Sequence, residues 1–151
     1  MNGGLNRKVS PMKYKKIGYK YELAENEHFN TPVTGFEIDV RDPASRMQYA
    51  FLGKDGNLVV FTGYQWDGAS GPTIDDNTNM RASLEHDVFY QMLREEYLGP
   101  GWRKIVDKVL FQSLREDGMP WWRAKYYYWG VRLGGGPSAD PKNQQIVYEA
   151  P

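Results

Sequence analysis

The feature that most constrains this chain is a change of hydrophobic period, from two to nearly four, across one glycine-rich segment. Before it, "KIGYKYELAE" alternates Ile17, Tyr19, Tyr21 and Leu23, and "TGFEIDV" alternates Phe36, Ile38 and Val40. Alternation of this kind suits a strand with one buried face. "QYAFLGKDGNLVVF" has the form of a hairpin turning at Lys54-Asp55-Gly56. After the segment, Leu84, Val88 and Met92 recur at spacing four, then Val106, Leu110 and Leu114, then Trp122, Tyr126 and, beside them, Trp129 and Leu133. These are helical stripes. Strands first and helices after define an α+β class: a small N-terminal antiparallel sheet followed by a three-helix C-terminal region.

The 151 residues suit a single domain, 1–151, with one core. Its expected parts are a loose arm at 1–13, a β region at 14–62, a glycine-rich loop at 63–79, helices within 80–133 and an extended tail at 134–151. The helices are expected at about 80–94, 102–115 and 121–133, with "LGPG" and "EDGMP" between them as breaks. The stripe from Trp122 to Leu133 is expected to face the core. Trp121, Lys125, Tyr128 and Arg132 lie on the other side, available to lipid or a partner.

Composition removes several chemistries. With no cysteine there is no thiol catalysis, zinc–thiolate site or disulfide scaffold. Nineteen basic residues balance 19 acidic ones and the cations form no stripe, so nucleic acid is not an expected partner. No apolar run reaches the roughly 20 residues of a membrane span. The start "MNGGLNRKVS" lacks a signal-peptide core, so synthesis and residence in the cytosol are expected, with release by lysis or in a virion open to a viral protein. Eleven tyrosines, five tryptophans and six phenylalanines imply an aromatic core, an aromatic contact surface, or both. Nothing in the pattern sets the oligomeric state.

The chemistry-bearing residues gather on two helices. His86, Phe89, Tyr90 and Leu93 share a face by spacings of three, four and seven, and Asp107 shares one with Leu110, Phe111 and Leu114. A short connection makes the two helices antiparallel neighbours, with His86 and Asp107 nearly level. A buried carboxylate needs a partner. Asp107 bonded to one imidazole nitrogen satisfies both groups, fixes the tautomer and leaves the other nitrogen free. Asp87 points about 100° away, towards the glycine-rich loop. Its carboxylate with main-chain oxygens is a hard-cation set, so calcium is expected rather than zinc. The loop has an alternative reading as a rigid turn, with Asp67 capping local amides and Trp66 plugging the core. His28 completes an H…HD…D order like that of metal phosphohydrolases, but it falls in a β or loop region and is set aside.

A glycine-rich loop, then "HDVFY", then a second helix with a lone buried aspartate resembles the phospholipase A2 site, most nearly the disulfide-free form in viral capsid proteins. The resemblance covers about residues 63–111. It implies that His86 is the general base on a water, that Asp107 orients it and that Tyr90 braces the aspartate. It implies further that Asp87, with carbonyls of the loop carrying Tyr64, Trp66, Asp67 and Gly68, holds a calcium ion acting as Lewis acid on an ester of a phospholipid or envelope component. The loop "YQWDGASGP" departs from the family's tight Tyr-x-Gly-x-Gly register by inserting Trp66 and Asp67. A second resemblance, carried by "GYQWDGASGPTID", "HDVFY", Arg103 with Asp107, and "YYYWGVRLGG", is to an uncharacterised phage-associated family known only as a domain of unknown function. It implies a phage source and supplies no activity. The competing expectation is a virion or tail-assembly protein in which the His–Asp pair only joins helices.

Overall fold

The computed structural model describes residues 11–68 and 77–144. Seven strands precede four α-helices: β1 Tyr14–Ile17, β2 Lys20–Leu23, β3 Glu27–Asn30, β4 Ile38–Arg41, β5 Gln48–Leu52, β6 Asn57–Val60, β7 Gln65–Trp66, α1 Met80–Arg94, α2 Arg103–Glu116, α3 Trp121–Gly134 and α4 Gly136–Ala139. The strands form two antiparallel sheets, ordered β1-β2-β7 and β3-β6-β5-β4, so the chain is α+β. Residues 1–10 of the arm expected at 1–13, residues 69–76 of the glycine-rich loop and residues 145–151 of the tail lie outside the described residues.

The larger sheet follows from alternation. Phe29, Ile38, Val40, Ala50, Leu52, Leu58 and Val60 are all buried, and their strand neighbours face out or sit at the rim. The β5–β6 hairpin turns where Lys54-Asp55-Gly56 was expected. Gly53 N donates to Asn57 O at 3.0 Å, and Gly56 adopts φ +85°, with the Thr31 carbonyl lying where a Cβ would go. The "KIGYKYELAE" stretch is two strands rather than one. Gly18, at φ +60°, turns the chain back, pairing Ile17 with Lys20 and Tyr14 with Leu23. Alternation continues through a two-residue turn, so period alone does not reveal it.

Helix α1 packs into the same apolar cluster as the larger sheet. Leu84, Val88, Phe89 and Met92 are fully buried, each contributing about 1.5–3 kcal/mol by leaving water. Strand β7 and the residue before it are fastened to this helix by Trp66 Nε1, which donates to Ser83 Oγ at 3.1 Å, and by the Tyr64 hydroxyl, which donates to Gln91 Oε1 at 2.9 Å. A break at Leu98–Gly101, tightened by a 3₁₀ turn at Pro100–Trp102, sends α2 back against α1.

Helix α3 docks by the opposite face from the one expected. Trp122, Tyr126, Trp129 and Leu133 are exposed by 55–85 %, whereas Ala124, Tyr127 and Tyr128 are buried. Aromatic residues surround this helix, so its spacing marks two candidate faces. The side with small Ala124 approaches Leu110, Leu114 and Met119 most closely, and the Tyr127 hydroxyl accepts a bond from Asn79 Nδ2 at 3.0 Å. The tail is also not extended throughout. Short helix α4 and a 3₁₀ turn at Pro141–Asn143 fold back onto α1, where Arg94 Nη1 donates to the Ser138 carbonyl at 2.8 Å.

Candidate functional site

The α1–α2 packing brings His86 and Asp107 together. His86 Nε2 lies 2.8 Å from Asp107 Oδ1, and the same oxygen accepts the Tyr90 hydroxyl at 2.6 Å. Spacing i, i+4 sets Tyr90 one turn below His86, their ring centroids 4.1 Å apart. The other carboxylate oxygen, Oδ2, accepts Arg132 Nη1 at 2.8 Å, with Arg103 Nε 3.9 Å away. Asp107 is fully buried. Burial alone would push its carboxyl up, but the bonds from His86 and Tyr90, the imidazole charge and the Arg132 bond hold it below the usual carboxylate range.

This arrangement determines the tautomer. An ionised carboxylate only accepts, so in the neutral imidazole Nε2 carries the proton shared with Asp107 and Nδ1 keeps an unshared pair. Among the described residues nothing bonds Nδ1. His86 is one wall of a cleft of about 800 Å³ that runs between β7, α1 and α3. A water seated there could lose a proton to Nδ1 while Asp107 steadies the resulting imidazolium. Arg132 draws off part of the Asp107 charge, which limits that steadying.

No protein-family model matches this chain, and no curated protein or solved structure does either.

The remaining residues singled out in the sequence fall around the same cleft. Asp87 lines it beside Asp67. Burial pushes the Asp87 carboxyl up to about 7, and the Asp67 charge adds to this while Arg94 partly offsets it. Two carboxylates that repel across a cleft are chemistry a hard cation relieves. Among the described residues no group of three or more histidines or carboxylates gathers for a metal, and of the segment 64–71 expected to supply carbonyls, Tyr64, Trp66, Asp67 and Gly68 are described while 69–71 lie outside. Gly68, at φ +83°, starts that loop from the cleft wall. The Tyr64 carbonyl accepts the Leu23 amide at 2.9 Å, so it faces the sheet. Trp66 is buried with its indole on Ser83, as the rigid-turn reading of the loop expected. His28 is exposed on β3, its carbonyl accepting from Arg81, and takes no part in the site.

Two further participants are Arg103, which carried no assigned role in the sequence, and Arg132, which was expected to be available to lipid or a partner and instead bonds Asp107. Arg103 stands four residues before Asp107, a spacing that puts both on one helix face. It donates to Tyr90 at 3.2 Å and, through Nη2, to the carbonyls of Val131 and Arg132 at 2.7 and 3.0 Å. Arg103 thus ties the end of α3, which carries Arg132, to the dyad. For Arg132 no local sequence signal exists, because its partner is 25 residues away on another helix.

Proposed function

We propose that this protein is a phage-encoded hydrolase of phospholipase A2 type, acting on an ester of a phospholipid or other envelope component. The observation that carries the reading is the His86–Asp107 pair, 2.8 Å apart with Tyr90 on the same oxygen, bordering an open cleft. In this reading His86 Nδ1 takes a proton from a water, whose oxygen attacks the ester carbonyl, and the proton passes to the departing alkoxide. Asp107 and Tyr90 hold the imidazole in the productive tautomer. Asp87 and Asp67 suit a hard divalent cation, calcium, which when bound supplies Lewis-acid polarisation of a carbonyl. The host cytoplasm is then the place of synthesis and the virion a possible carrier.

The burial of Asp107 among four polar partners favours a second reading. There the same network is a strut between α1, α2 and α3 in a virion or tail-assembly component. The test is release of fatty acid from mixed phospholipid vesicles, with calcium and with a chelator. The first reading expects calcium-dependent release that Asp87→Asn abolishes, and a calcium-induced rise in melting temperature seen in wild type only. Absence of release in every condition supports the strut.

A further inference from the structure

We infer that the rim of the cleft is a docking surface for an anionic phospholipid bilayer, formed by the outer face of α3 together with the β1–β2 hairpin. At about 100° per residue, Trp122, Tyr126, Trp129 and Leu133 fall within an arc of about 60° on α3. They are exposed by 69, 58, 55 and 85 %, leaving a ridge of large side chains with nothing packed on it among the described residues. The edges of the arc carry Lys125 and Arg123, and α3 contains no carboxylate. Lys125 Nζ lies over the rings of Phe111, Tyr128 and Trp121 at 5.0, 5.4 and 5.8 Å, which keeps its charge at the ridge edge.

The hairpin repeats this chemistry. Ile17 and Tyr19 are exposed by 46 and 78 % at its tip, flanked by Lys16 and Lys20, while Lys13 is paired with Glu25 at 2.9 Å and Lys15 stands across the hairpin from Glu22. Lys20 and Tyr126 both line the cleft that His86 borders, so the two elements border the same opening.

A bilayer suits this surface for three reasons. Tryptophan and tyrosine partition to the headgroup level, where ring and polar edge are both satisfied. Lysine and arginine flanking an apolar arc meet anionic headgroups while their stems lie along it. The ridge is convex, a shape that enters a soft interface, whereas a protein partner must offer a matching groove. The inference shares its lipid with the proposed function but rests on α3 and the hairpin, and stands if His86 is inert.

The experiment uses the full chain with vesicles of phosphatidylcholine alone, or with about one third phosphatidylglycerol. Flotation should recover the protein with the anionic vesicles, less as salt rises. The double variant Trp122→Ala/Trp129→Ala should weaken binding at least about tenfold, with its melting temperature unchanged because both residues are exposed. Lys16→Glu/Lys20→Glu should weaken it similarly, and His86→Gln should bind as wild type does. Binding indifferent to the Trp variants, or absent from anionic vesicles, overturns the inference. So does a concentration-dependent dimer that the Trp variants abolish in a protein that ignores vesicles, since the ridge then covers a second copy.

Discussion

At Asp107 three helices meet through one carboxylate. His86 and Tyr90 come from α1, Arg132 from α3, and Arg103 from the turn above on α2. Asp107→Asn keeps the volume but removes the charge, leaving Arg132 and Arg103 without their anion. It should cost on the order of 2–4 kcal/mol in urea unfolding. Glu85 poses the opposite problem. Burial pushes its carboxyl from 4.5 up to about 7, against the bond from Ser113 Oγ and the charge of Arg81, with Glu116 and Asp117 adding to the rise. Between those values the folded chain holds a proton that the unfolded chain has lost, so stability falls as pH rises from about 4.5 to 7 and is level above. Glu85→Gln should match wild type near pH 4 and exceed it at pH 8 by on the order of 1–3 kcal/mol. Thermal unfolding of both proteins across that range measures the difference, and Asp87, which shifts in the same direction, is common to both curves. The meeting of His86 with Asp107 was legible because helical spacing and a short connection are local facts. Arg132 was not, since nothing local records which turn of α3 lies over α2.

At the scale of elements, α1 coincides with the stretch whose apolar spacing announced it, and α2 is offset by one residue through the Pro100–Trp102 turn. β3 carries no apolar alternation because "EHFN" buries a glutamate, Glu27, which meets Arg81 at 3.4 Å. Helix α3 shows where spacing stops being informative. When every face is aromatic, the docked side is chosen by fit against α2, and Ala124 makes that fit. Ala124→Leu should therefore overpack the contact with Leu110 and Leu114 and cost about 1–3 kcal/mol, while Trp122→Ala should stay within about 0.5 kcal/mol. Chemical denaturation of the two variants discriminates the faces, and the reverse ranking would return the tryptophan stripe to the core.

For the whole molecule, the larger sheet serves as a platform for α1, and the cleft opens where β7, α1 and α3 converge. No described helix is long and apolar enough to cross a membrane. The class, the order of elements and the gathering of His86, Asp87, Tyr90 and Asp107 on two helices follow from period, breaks and spacing. The split into two sheets and the cleft itself depend on β7 pairing with β2 across more than 40 residues, which no local pattern encodes. Whether His86 acts as a base or as a strut is decided by His86→Gln, measured for lipid hydrolysis and urea stability on the same sample. Glutamine can keep one bond to Asp107. A base predicts fatty acid release reduced at least about 100-fold with stability changed by less than about 1 kcal/mol. Wild-type release that survives the substitution, or a stability loss on the order of 1–3 kcal/mol in a protein with no hydrolysis to lose, would contradict it.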